Sequence, residues 1–395
     1  MKAIKFMLSA CVAAVALTSC EKEEIVPQVK NTNMKSVEIS LNNARFSATR
    51  GEAGAKINSG DAVVVNDFKV FLVDNAGNEY KAKVSDGSAD AKTYWSKEDL
   101  AANAVGDASF HYVDHGCVKV VAVANLGEDM TYAQFLRMGN INVNGEQNQG
   151  DLSLYAEAPL VKSNEAHQDQ NVDETIYVSD LYTANLTLKP RISRFEVDGF
   201  RVVFNDDPKY DEILVTDILF DHYAESTSLA TGVEAETHIK HIDNYDVQST
   251  VFNWFNDASK ATGWWWDSFA TPLEITPDAP AADVENAAGE KAPLAYHFFS
   301  GATVPNLVIK LIADGYPAYV HSTGFYSAEK KVDGLPARID TFEEGYIYRM
   351  SAAGEVAGSN GSIPIPEDVI DPMDRCLEIT LDVVEWTVEL IYPEF

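Results

Sequence analysis

Residues 67–82 read Asp-Phe-Lys-Val-Phe-Leu-Val-Asp-Asn-Ala-Gly-Asn-Glu-Tyr-Lys-Ala. Phe68, Val70 and Leu72 fall on one face of an extended chain, residues 74–78 carry the side chains that close a tight turn, and Tyr80 and Ala82 resume the alternation. Residues 66–84 therefore predict a β-hairpin. The same two-residue period recurs along the chain between clusters of Gly, Asn, Asp and Pro, and helix-period stretches are few, so the fold class is all-β. Residues 117–124 are apolar at nearly every position, as in a strand covered on both faces. Residues 95–104 and 131–138, the latter with Tyr132, Phe135 and Leu136, are candidates for short helices. The polar run 163–174 reads as a surface loop ahead of strands at 175–188. Pro190, in Leu188-Lys189-Pro190-Arg191-Ile192-Ser193-Arg194-Phe195, sits where the last strand of one domain would run into the first of the next. Beyond it strands are expected at 195–205 and 212–221, then an irregular region over 223–293, then strands at 296–300, 307–312 and 345–350. A Gly/Ser/Pro loop at 354–372 precedes the last strand.

A chain of 395 residues that is 46% hydrophobic can bury ample core, and its length points to two domains. Lys and Arg number 30 against 61 Asp and Glu, for a net charge of −31. Removing residues 1–50, with seven basic and four acidic side chains, leaves 23 against 57. Such a body repels nucleic acid and anionic lipid faces and stays dispersed in solution. No G-x-S-x-G, H-E-x-x-H, Walker loop, G-x-G-x-x-G or kinase signature is present, and among so many carboxylates a chance pair nominates no glycosidase. No catalytic residue and no cofactor is expected.

The N-terminus is a separate unit. Lys2 and Lys5 precede about ten apolar or small residues over 8–17, too few to span a bilayer, and Leu17-Thr18-Ser19-Cys20 then reads as a lipobox. Residues 1–19 are a lipoprotein signal peptide on this reading, and Cys20 carries the lipid that holds the precursor to a membrane. The following Glu21-Lys22-Glu23-Glu24 resembles the surface-export signal of lipoproteins of the Bacteroides lineage. With Cys11 in the signal, Cys117 and Cys376 remain. Export permits a disulfide, but each lies in an apolar strand of a different expected domain, which favours two buried thiols.

The lipobox, a prosegment ending Ala48-Thr49-Arg50, the strand Asp67-Phe68-Lys69-Val70-Phe71-Leu72, the junction Arg191-Ile192-Ser193-Arg194-Phe195, and a late Gly345-Tyr346-Ile347-Tyr348 ahead of a terminal strand with Trp386 occur in order over almost the whole chain. Together they resemble the fimbrillins, the type V pilins of Bacteroides-like bacteria. The resemblance implies two transthyretin-like β-sandwich domains and delivery to the cell outer membrane as a lipidated precursor. It also implies cutting after an arginine by a trypsin-like surface protease and polymerisation by strand exchange into an extracellular fimbrium. The domains would then be a lipidated prosegment at 20–50, sandwiches at 51–190 and 191–383, and a donor strand at 384–395. Partners would be other copies or related fimbrial subunits.

The residues support that mechanism on their own account. Val37, Ile39 and Leu41 fall on one face of a strand, followed by Arg45 and Arg50, so the segment can pair with a sheet and be cut away. Arg50, followed by Gly51 among small residues, fits a protease cleft more readily than Arg45, which stays as the alternative. At the other end Leu377, Ile379, Leu381 and Val383 are apolar at odd positions, but Trp386, Val388, Leu390 and Tyr392 at even ones. A phase change near 384–385 implies either a bulge in one final strand or a crossing to another sheet, with 386–392 inserted into a neighbouring subunit.

Trp264, Trp265 and Trp266 support a second reading, in which the protein is a monomeric surface lipoprotein that stacks sugar rings of host or bacterial glycans. Burial of these rings under a loop is the competing explanation. His238-x-x-His241, near His222 and Asp243, lacks a third ligand at fixed spacing, and acidic clusters such as Asp86-Gly87-Ser88-Ala89-Asp90 do not follow a calcium-loop pattern, so no metal is expected.

Overall fold

The computed structural model describes residues 29–42, 44–47, 62–82, 93–96, 110–127, 130–148, 152–170, 175–233, 238–239, 265–285, 289–350, 364–370, 376–385 and 387–391. The protein is all-β; among the described residues helix is confined to Tyr132–Arg137 and the single turns Val143–Gln147 and Glu367–Ile370.

Phe68–Val73 returns antiparallel as Glu79–Tyr80. The turn between them is built by Asp74, whose Oδ1 accepts from the backbone N–H of Ala76 at 2.8 Å and Asn78 at 2.9 Å, while Gly77 takes φ +84°. These bonds, with that from the Asn78 side chain first, hold the Asp74 carboxyl below its usual range. Lys119–Ala124 is hydrogen-bonded between Phe68–Val73 and Leu154–Pro159, and consecutive residues Val120 to Ala124 are buried, so both its faces are covered. A second sheet orders Val161–Gln170, Ile176–Thr187, Val29–Asn42 and Phe110–Val113. Strand partners change at Pro190: Lys189–Pro190 pairs Leu154–Pro159, whereas Ile192–Val197 pairs Leu294–Phe299 and Tyr346–Met350. From there a nine-stranded sheet forms around Ile213–Asp221, Asn306–Ala313, Tyr316–Val332 and Cys376–Glu385.

Three expectations are corrected. Within the polar run read as a loop at 163–174, residues 163–170 belong to the edge strand Val161–Gln170, paired antiparallel to Ile176–Thr187, and 171–174 lie outside the described residues. An edge strand with little to cover needs no apolar alternation, and its charges discourage further pairing. Within the region read as irregular, Trp266–Ile275 is a ten-residue strand against Ile213–Asp221. Of the two helix candidates, 131–138 contains Tyr132–Arg137, closed by a Thr131/Gln134 capping box, with Tyr132 and Phe135 buried. At 95–104, Tyr94–Ser96 is a strand, and the remainder lies outside the described residues.

The first half meets the second through a buried polar cluster. Glu196, fully buried, accepts from Arg194 Nε at 2.7 Å and from Arg349 Nε at 2.7 Å. The Arg194 guanidinium lies 3.3 Å from His297 Nε2, and His297 Nδ1 is 2.6 Å from the Glu146 carbonyl. Gln147 closes the join by donating to the His297 carbonyl and accepting from its N–H. Burial, and then the Arg194 charge, pull the His297 imidazole down to about 3, so it is neutral. Neutral His297 donates from Nδ1 and accepts at Nε2, which matches both contacts.

Candidate functional site

Val29–Asn42 is the strand on which the functional reading turns. It runs parallel to Ile176–Thr187, with Val37 opposite Tyr182, Ile39 opposite Ala184 and Leu41 opposite Leu186. On its other side it pairs antiparallel with Phe110–Val113, Val37 opposite Phe110. The first described strand of the chain thus occupies an interior place in its sheet, with a ladder on each side. Val37 is fully buried and Ile39 packs partly covered against the core, whereas Glu38 and Ser40 on the opposite face are exposed. Burying a valine side chain contributes roughly 1.5–3 kcal/mol.

Two contacts beyond the apolar face were not anticipated. Ser36 Oγ meets Ser179 Oγ at 2.7 Å. Lys35 is 6% exposed, and its Nζ donates to the carbonyls of His115 at 2.9 Å and Cys117 at 2.6 Å while lying 4.6 Å from the centre of the Tyr182 ring. Lys35 falls in the same phase as Val37 and Ile39; a cation in line with apolar positions was the available signal. Cys117 is a free, buried thiol, pushed up to about 11 chiefly by burial, so it is inert as a nucleophile.

The strand is followed by Ala44–Ser47, which runs parallel to the terminal strand Thr387–Ile391. Arg45 lies opposite Glu389 in that ladder, and its main chain is engaged there. On its far side Thr387–Ile391 runs parallel to Ala62–Val65, Val388 opposite Val63 and Leu390 opposite Val65. Cys376–Glu385 belongs to the large sheet and Thr387–Ile391 to the small parallel one, so the two strands that flank the phase change near 384–385 belong to different sheets. Cys20, Arg50, Trp386 and Tyr392 lie outside the described residues.

Two of the three aromatic candidates are described. Trp265 is 8% exposed and its carbonyl accepts from Phe220 N–H at 2.8 Å; Trp266 is half-buried at the start of its strand, and Trp264 is outside the described residues. A ring as covered as Trp265 offers no face to a sugar. Among the described residues no three His, Cys, Asp or Glu side chains gather as a metal set.

No family model matches the chain, and no curated protein matches it. Solved structures are similar to it at low identity. A candidate cell-adhesion protein of Parabacteroides distasonis is 14% identical over 90% of this chain and 98% of its own, with a TM-score of 0.47. A fimbrilin of Porphyromonas gingivalis is 10% identical over 90% and 99%, TM-score 0.38. The tip fimbrial protein Mfa3 of the same organism is 9% identical over 82% and 94%, TM-score 0.37. Likeness at this level transfers no residue role to this chain.

Proposed function

We propose that this chain is a structural subunit of an extracellular fimbrium. It is a two-domain β protein, 51–190 and 191–383, carried to the outer membrane on a lipid at Cys20, released by cleavage after an arginine, and joined to its neighbours by strand exchange. Its action is mechanical and adhesive, with no bond chemistry.

The observation that carries the reading is the interior position of Val29–Asn42. Losing an edge strand only shortens a sheet. Losing an interior one opens a slot with unpaired backbone groups on both sides and an apolar floor where Val37 and Ile39 had been. In this reading an arginine-specific surface protease cuts at Arg50, and Arg45 is the less favoured site because its backbone is engaged in a ladder. The slot then receives segment 384–395 of another copy or of a related subunit, with Trp386, Val388, Leu390 and Tyr392 on its apolar face.

The test treats the purified full chain with an arginine-specific protease and looks for filaments by electron microscopy and detergent-resistant ladders on gels. Both are expected, and both should vanish on deletion of residues 384–395. Monomers after complete cleavage, with no effect of the deletion, would overturn the proposal.

A further inference from the structure

Resting on the strand-exchange reading above, we infer that the strand this chain accepts best carries a lysine or arginine at the position of Lys35. Its slot therefore favours the strand of a different subunit over that of a second copy, which fills it only weakly.

The inference begins with where Lys35 sits. In the continuous ladder 35–42 it shares the inward face of Val37 and Ile39, yet it ends in an ammonium group. A buried cation costs free energy unless its donors are met, and here they are met by main-chain oxygens 80 and 82 residues away. Those oxygens are fixed in place. Cys117 N–H donates to the Asp114 carbonyl at 3.1 Å and Gly116 N–H to Asp114 Oδ1 at 2.8 Å, which closes the 114–117 turn. Gly116 packs against the Tyr80 phenol so closely that an added Cβ would clash with it, which places the turn against the first hairpin. Tyr182 comes from the neighbouring strand and turns its ring face to the same ammonium. The result is a preformed socket of two carbonyl oxygens and one π-face, all complementary to a cation.

When Val29–Asn42 leaves, this socket remains in the slot. An incoming strand that places a methyl or a carboxylate there takes one donor from each of two oriented carbonyls, and a carboxylate also meets them with like polarity. Residues 376–395 contain no Lys, Arg or His, and within 384–395 the ionisable side chains are Glu385, Glu389 and Glu394, apart from Tyr392. No register and no strand direction lets this chain's own terminal segment supply the missing cation. The socket thus discriminates against self-addition at the acceptor end, while the chain's own terminal strand stays available for another subunit.

The test uses the full chain nicked by an arginine-specific protease and challenged with labelled peptides, with incorporation read by mass spectrometry after gel filtration. Peptide 29–42 and its Lys35→Arg form should enter the slot, and Lys35→Met and peptide 384–395 should each be at least tenfold weaker. Equal incorporation of Lys35→Met, or of 384–395, overturns the cation preference while leaving strand exchange standing. Failure of the wild-type 29–42 peptide to enter overturns strand exchange itself, and this inference with it. The intact chain gives an independent reading: Lys35→Met should lower the urea midpoint and Lys35→Arg should largely restore it, and a Met variant as stable as the parent also overturns the socket.

Discussion

Truncating Val37 tests whether the first strand is held by the face assigned to it. The side chain is fully buried, and Val37→Ala removes two methyl groups, about 1.6 kcal/mol at roughly 0.8 per methylene-sized group. Residual cavity raises this to about 2–3 kcal/mol. Glu38→Ala lies on the same strand and in the same ladder with Ile176–Thr187 but is exposed, and should change stability by less than about 0.5 kcal/mol. The difference between the two, about 1.5–2.5 kcal/mol, corresponds to roughly 10- to 70-fold in an equilibrium constant. Two assays apply to both variants: the urea midpoint of the intact chain, and the time course of release of the N-terminal fragment after nicking, followed by mass spectrometry. Val37→Ala should lower the midpoint and hasten release, and Glu38→Ala should do neither. Equal behaviour of the two in both assays would refute the assignment of the buried face. A lowered midpoint with unchanged release would show that the fragment departs without extracting Val37.

Four other outcomes are expected. Glu196→Gln strands two largely buried guanidinium groups and should cost about 3–5 kcal/mol in urea unfolding, toward the lower figure because Asp198 lies 4.0 Å from Arg349. His297, with a folded value near 3 against an ordinary 6.5, binds its proton less readily folded than unfolded. Its contribution is full above pH 6.5 and is lost as pH falls toward 3, so the stability gap between parent and His297→Gln should shrink by up to about 1.4 kcal/mol per pH unit between 6 and 4. Trp265→Ala should destabilise by about 3–5 kcal/mol, read from the thermal midpoint, and binding of polysaccharide by the parent that vanishes in a still-folded variant would contradict the structural role given to this ring. Arg50→Ala should abolish the main cleavage product and Arg45→Ala leave it unchanged, as read by the mass of the released fragment.

What the sequence disclosed depended on how local the cause was. The hairpin at 68–80 was legible because Asp74 and Gly77 form its turn with their own neighbours, and 119–124 because burial on both faces demands an unbroken apolar run. Val161–Gln170 was illegible because an edge strand is specified by its partner's free backbone and not by its own side chains. Tyr316–Val332 escaped the reading although its two ends are marked. Asp314-Gly315 and Asp333-Gly334, all at positive φ, are the two-residue turns that favour Asp-Gly. The strand's polar far end hid it between them. At the candidate site the apolar phase of 37, 39 and 41 was visible, but the meaning of Lys35 was not. Its oxygens belong to a turn 80 residues downstream, and no local period encodes that distance.

The small parallel sheet that holds Thr387–Ile391 has one neighbour on each side of Arg50: Ala44–Ser47 before it and Ala62–Val65 after it. On the strand-exchange reading one scission therefore acts twice. It unfastens the plug from the chain's socket and, in the same event, removes the covalent tether of one of the two rails gripping the chain's own arm. Giving and receiving would be unlocked together, so a half-armed subunit, able to cap a growing fibre but not extend it, should not accumulate. On the same reading the arrangement before the cut would work as an interlock, holding the subunit inert until an arginine-specific protease acts on it.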